Sequence, residues 1–104
     1  MKLNQIQLEA KLFKGLGDPS RLSILSTILD GPQSVTQIVS KTKLSQPNTS
    51  AHLACLLECG LIRKEKRGRE VFYEASSKAV VEIIRYAQKV LKQHSKEIYN
   101  CTRY

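Results

Sequence analysis

The sequence is poor in several things, and each shortage removes a class of function. No stretch approaches the roughly 18 consecutive apolar residues that a membrane-spanning helix needs. The opening Met1-Lys2-Leu3-Asn4-Gln5 runs into an interrupted apolar pattern and not into the continuous apolar core of a signal peptide, so cytoplasmic residence is the expectation. Three cysteines are an odd and small set, which argues against a disulfide framework and leaves free, reactive or metal-binding thiols. There is no nucleophile elbow, no phosphate loop and no HExxH helix, and neither of the two histidines stands near a nucleophile on a glycine-bounded loop. An enzyme is not expected. Internal repeats and low-complexity linkers are absent too. Acidic residues are scarce, nine against 17 Lys and Arg, so the formal net charge is +8 and a polyanionic partner such as nucleic acid is favoured.

What is present fits one small domain. The chain has 104 residues, 41% of them hydrophobic and 25% charged, enough for a packed core and against disorder. A core this small gains from dimerisation. Leu3, Ile6, Ala10, Phe13 and Leu16 recur at helical spacing, predicting a helix over Leu3–Leu16. Asp18-Pro19 reads as a cap followed by a first-turn proline, opening a second helix with Leu22, Leu25, Ile28 and Leu29 buried and Gly31-Pro32 ending it. Ser34 caps a short helix, Val35 to Lys41, and after Thr42-Lys43-Leu44 Ser45 caps a longer one from Gln46 to about Glu58. Two such helices about a tight turn make a helix-turn-helix, spanning about 34–59. Period-two runs on either side of Arg67-Gly68-Arg69 predict a β-hairpin, a wing over about 61–75. A last helix over about 77–97 carries Val80, Ile83, Ile84, Ala87, Val90 and Leu91, a stripe longer than its own domain can cover, and so reads as a dimerisation helix. A tail, 98–104, holds Cys101. The expected fold is mainly α with a β-hairpin wing: a homodimeric winged helix-turn-helix.

The Gln46–Glu58 helix divides into three faces by its step of about 100° per residue. Thr49, Leu53, Leu56 and Leu57 form a core side. Pro47, Ser50, Ala51 and Ala54 are small or polar, as a helix lying against base edges requires. Gln46 at the exposed start offers a long amide to adenine, and Ser45 and Asn48 stand beside it. Asn48, His52, Cys55 and Cys59 fall on the third side. Two thiols four residues apart sit about one turn apart and can chelate a soft ion, with His52 as a further donor. The alternative is that they are small core residues. Lys64, Arg67 and Arg69 on the wing are candidate phosphate contacts. His94 and Glu97 are read as solvated, because the region three turns earlier supplies only Glu82 toward a second half-site.

Leu16-Gly17-Asp18-Pro19-Ser20-Arg21-Leu22, Leu44-Ser45-Gln46-Pro47-Asn48-Thr49-Ser50-Ala51-His52-Leu53, Gly60-Leu61-Ile62 and the Arg67-Gly68-Arg69 wing together resemble the ArsR/SmtB family of metal-sensing repressors, over nearly the whole chain. The resemblance implies a winged-helix homodimer that binds operator DNA without metal and releases it with metal. An arsenic-sensor Cys-Val-Cys is absent from Val35-Thr36-Gln37-Ile38-Val39, and the zinc-sensor pattern of the last helix is incomplete. Ala54-Cys55-Leu56-Leu57-Glu58-Cys59-Gly60 is similar to the cadmium/lead-sensing CmtR-type branch, which implies Cys55, Cys59 and Cys101 as the ligand set, cadmium or lead as the effector with zinc or arsenite as further candidates, and efflux or detoxification genes as targets. Two other readings stay open: a thiol-redox or persulfide-sensing repressor on the same scaffold, and a winged-helix protein-interaction module without an operator.

Overall fold

A computed structural model describes residues 2–103. Five helices and three short strands follow in the order α1 (Gln5–Leu16), α2 (Pro19–Thr27), β1 (Gln33–Ser34), α3 (Val35–Thr42), α4 (Gln46–Glu58), β2 (Ile62–Arg67), β3 (Glu70–Ala75) and α5 (Lys78–Asn100).

Every helix start carries a side-chain cap that satisfies a backbone N–H otherwise without a partner. The Asn4 side chain accepts from the Gln7 N–H at 2.8 Å, and Gln7 Oε1 accepts the Asn4 N–H in return. Asp18 Oδ2 accepts from the Arg21 N–H at 3.0 Å. Ser34 and Gln37 repeat the reciprocal pattern at the start of α3. Ser45 Oγ accepts from the Asn48 N–H, and Ser77 Oγ from the Val80 N–H. Lys43 closes α3 with φ 63, a left-handed conformation unusual for a residue with a side chain, and so turns the chain sharply into α4. Gly68, also at φ 63, makes the tip of the β2–β3 hairpin.

The sheet order is β1-β3-β2, all antiparallel. Ile62 pairs with Ala75 and Arg67 with Glu70 along the hairpin, while Gln33 and Ser34 pair with Tyr73 and Phe72. Leu16, Ile24, Leu25, Ile28, Ile38, Leu53, Leu56, Ile62 and Ile84 form the core. Leu16 and Ile84 are the buried apolar residues that α1 and α5 place in it, so both helices leave most of their apolar faces uncovered. Ile6 is 71% exposed, Phe13 59%, and Val90 and Leu91 about half. No helix among the described residues is long and apolar enough to cross a membrane.

Several boundaries differ from expectation. α1 starts at Gln5 rather than Leu3, because Asn4 with Gln7 makes a better cap than an apolar residue. α2 ends at Thr27, and Ile28 and Leu29 lie beyond it. Ile28 still packs into the core, and Ile24 is buried where Leu22 was expected. The strand β1 has only two residues, too short to show a period. The tail expected over 98–104 is helical as far as Asn100, with Cys101 as the cap residue, and Tyr104 lies outside the described residues. α5 departs from helical geometry at His94, with φ −129 and ψ 23.

The Arg21 backbone N–H holds the Asp18 carboxyl below its usual range. A carboxyl whose pKa is lower folded than unfolded adds stability above its unfolded pKa and loses it as pH falls through the folded one. The stability gap between wild type and Asp18→Asn is therefore expected at neutral pH, to shrink below about pH 4, and to vanish once Asp18 is protonated in both states. Urea unfolding across pH 2–7 checks this, and a gap independent of pH would contradict it.

Candidate functional site

α4 is the second helix of the helix-turn-helix, and its orientation follows from one buried side. Thr49, Leu53 and Leu56 are within 2% of complete burial. Thr49 pays no polar penalty there, since its Oγ1 donates to the Ser45 carbonyl at 2.8 Å. With that side committed, Gln46, Pro47, Ser50, Ala51 and Ala54 are exposed on the outer surface. Ser45 and Asn48 are exposed at the helix start, where free N–H groups and the helix dipole favour an anion.

The wing divides by pleat. Arg63, Glu65 and Arg67 share one side with Glu70, Phe72 and Glu74, and Lys64 and Lys66 share the other with Val71 and Tyr73. Arg63 Nε meets Glu74 Oε1 at 2.6 Å. Arg67 is partly engaged within the wing: its guanidinium lies 5.3 Å from the Phe72 ring centroid, and Nη2 is 3.5 Å from Glu65 Oε2. Lys64, Lys66 and Arg69 make no ion pair among the described residues, so they are the wing's uncommitted cations. Lys43, exposed at the turn before α4, is a further cation near the helix start that sequence reasoning did not single out. Its signal was its place between the caps of α3 and α4.

The third side of α4 carries the thiols. Cys55 is half-buried and Cys59 exposed, and the Cys59 N–H donates to the Cys55 carbonyl at 3.0 Å in the last turn. The two side chains are neighbours on the same side of the helix and line the same groove. Both border an open groove of about 320 Å³ lined also by Lys11, Lys14, Gly15, Arg21, Leu56 and Leu61. Desolvation in this groove pushes the Cys59 thiol above its ordinary value, Cys55 adds to the shift, and the Arg21 charge opposes it. This cationic rim joins α1 to α2, a non-local grouping that spacing along the chain does not reveal.

Two expected donors do not join the pair. Among the described residues no three His, Cys, Asp or Glu side chains gather within one chain. His52 instead stands near Asp18, whose carboxylate it helps to stabilise. Cys101 lies at the end of α5, exposed and apart from Cys55 and Cys59. The three-thiol set expected from the resemblance is thus not assembled by a single chain.

A capped two-helix unit with an exposed polar face, followed by a cationic hairpin, defines a winged helix-turn-helix regulator. Residues 18–64 match the family described as "Bacterial regulatory protein, arsR family". The chain is 31% identical over 94 residues to a probable mercury resistance operon repressor of Streptomyces lividans, covering 90% of this chain and 75% of that protein. It is 41% identical over 64 residues to the transcriptional regulator CmtR of Mycobacterium tuberculosis, covering 62% of this chain and 54% of that one. The crystal structure of M. tuberculosis Rv0081 superposes with a TM-score of 0.83 at 25% identity, over 94% of this chain and 99% of that one. The chain belongs to the ArsR family of bacterial regulators: it is a transcriptional regulator and not an enzyme.

Iodoacetamide labelling with mass spectrometry tests the thiol environment. The rate–pH midpoint of Cys59 is expected above the roughly 8.5 of a free cysteine and lower in Cys55→Ser, which removes one source of the upward shift. A midpoint at or below the free value would contradict the geometry.

Proposed function

We propose that the protein is a homodimeric repressor that holds operator DNA in its reduced, metal-free form and lets go when a soft thiophilic ion binds at Cys55, Cys59 and Cys101. Cadmium or lead is the effector proposed, with zinc or arsenite as further candidates, all of them ions that thiolates bind. The observation that carries this reading is the position of Cys55 and Cys59: on the recognition helix, together, and off its outer face.

The dimer follows from the uncovered apolar faces. Ile6 and Phe13 on α1, with Val90 and Leu91 on α5, are large and exposed in the single chain. Pairing these helices about a two-fold axis buries them and presents two copies of α4 to successive major grooves, about 34 Å apart. Gln46, Pro47, Ser50 and Ala51 then face base edges, while Ser45, Asn48 and the wing cations Lys64, Arg67 and Arg69 face phosphates.

Two thiols in one groove fit two positions of a soft-metal site. The third falls to Cys101 of the partner subunit, since one chain does not bring its own Cys101 to the pair. A soft ion bound there supplies a positive centre that the thiolates must face together. Cys55 and Cys59 then restrain the last turn of α4, and Cys101 ties the end of α5 to it. A preference of about 3 kcal/mol for the DNA-incompetent arrangement lowers operator affinity roughly a hundredfold.

A thiol-redox or persulfide sensor is the second reading, favoured by two thiols lining one groove with no third donor gathered there among the described residues of one chain. A protein-interaction module without an operator is a weaker one, since three wing cations would then have no partner.

Two sets of variants test these assignments. Cys55→Ser and Cys59→Ser are each expected to abolish cadmium-driven release in operator anisotropy titrations while leaving metal-free binding intact. Cys101→Ser weakens ion binding less. Wild-type-like release by either recognition-helix variant would refute the site. On the DNA side, Arg69→Ala is expected to weaken operator and random duplex alike and to reduce the salt slope by about 1, whereas Gln46→Ala erodes only the preference for operator. An unchanged salt slope for Arg69→Ala would remove the wing from the interface.

A further inference from the structure

The antiparallel pleat gives the wing two unlike sides. One carries Arg63 and Arg67 against Glu65, Glu70 and Glu74, and Arg63 and Glu74 neutralise each other at 2.6 Å. Phe72, on the same side, has the Arg67 guanidinium over its ring at 5.3 Å. The other side carries Lys64 and Lys66, both exposed, and no carboxylate from either strand. Neither lysine makes an ion pair among the described residues. The two sides also differ in what they face. Ile62, at the base of the lysine side, is buried in the core with Leu53 and Leu56 of α4. Tyr73, opposite Lys64, packs against the same core. The lysine side is therefore the one turned toward the helices, and alternation along β2 carries it outward from Ile62 through Lys64 to Lys66.

We infer that duplex DNA lies along the Lys64–Lys66 side of the wing, between the hairpin and the helices, and that Lys66 joins Lys64 as a phosphate contact. This rests on the reading of the wing as part of the DNA interface. The physical reason is a difference in local charge. Side chains on opposite faces of a strand point away from each other, and exposed charges are screened over roughly 8 Å at physiological salt. A phosphate beside one face therefore meets that face's charges and little of the other's. On the lysine side it finds two ammonium groups with no anion between them. On the far side it finds an arginine already neutralised by Glu74, Glu65 only partly engaged at 3.5 Å, and Glu70 without an ion pair among the described residues. That face repels a polyanion. Arg67 belongs to the far side but adjoins Gly68 at the tip, where the ladder ends. Glu65 stands between the two lysines in sequence and on the opposite face, so it separates the two sides at one distance from the tip.

Three single-charge substitutions test the sidedness: Lys64→Gln, Lys66→Gln and Glu65→Gln, each in the full chain, reduced and metal-free. The probe is a labelled mixed-sequence DNA duplex, because phosphate contacts do not depend on base sequence, and the reading is the slope of log affinity against log salt. Lys64→Gln and Lys66→Gln are each expected to lower the magnitude of the slope by about 1, with a loss of about five- to tenfold in affinity near 0.1 M salt. Glu65→Gln is expected to change it by less than about half as much. A Glu65→Gln slope that rises by as much as the lysine variants fall, or an unchanged slope in Lys66→Gln, overturns the inference. If none of the three moves the slope, the wing's place in the interface fails instead. The wild type gives an answer that needs no variant to fold: on adding saturating duplex, Lys64 and Lys66 are expected to lose reactivity toward acetic anhydride, read by mass spectrometry, while Lys89 and Lys92 of α5 keep theirs. Lys64 and Lys66 acetylated as fast with duplex bound as without it overturn the inference.

Discussion

The burial of Thr49, Leu53 and Leu56 is the constraint from which the rest of the site follows. An α-helix with one side committed to a core has no freedom left about its own axis. Once Leu53 and Leu56 interlock with Ile24, Leu25, Ile38 and Ile62, the residues at other angles on α4 point where the helix sends them. Small and polar groups face outward, and Cys55 and Cys59 face the corner between α1 and α2. A single packing decision thus separates the small, polar outer face from the side that carries the two thiols, while keeping both on one helix. In the proposed reading, that arrangement lets an event at the last turn of α4 act on its first turn through the helix they share.

Electrostatics divides along the same line. Among the described residues, the wing and the start of α4 offer Lys43, Lys64, Lys66 and Arg69 without an ion-pair partner, Arg67 is only partly engaged by Glu65 at 3.5 Å, and Arg63 and Arg85 are held by Glu74 and Asp30. Exposed pairs of this kind contribute little stability. Their effect is positional, since they decide which cations are free to meet phosphate. The Arg85–Asp30 pair, at 2.6 Å, also joins α5 to the turn after α2, so the helix that leaves the core has a polar fastening beyond Ile84.

The helix-turn-helix was legible because its signals are local. Asp18-Pro19, Ser34 and Ser45 mark helix starts through hydrogen bonds to residues three positions on, and the three faces of α4 follow from helical period alone. The family was legible for the same reason, its motifs lying in these capped segments. What escaped was non-local. β1 exists only because Gln33 and Ser34 find β3 some forty residues later. The Arg67–Phe72 contact depends on hairpin register, and the break at His94 has no proline or glycine to announce it. The cationic rim around the thiols joins Lys11 and Lys14 of α1 to Arg21 of α2. Cys101 was the opposite case: chemistry and resemblance grouped it with Cys55 and Cys59, but chain topology within one subunit does not. Spacing along a chain shows which residues share a helix face. It does not show which ends of two helices meet.

The central claim is that the thiols of the recognition helix and its grip on DNA form one system. The most direct measurement is a cadmium titration of the reduced protein bound to labelled operator, following the thiolate–cadmium absorption and the operator anisotropy in the same cuvette. The account predicts that the band grows and the anisotropy falls together, saturating at one ion per protomer. A saturated band with the operator still bound, or release without any thiolate band, would contradict it.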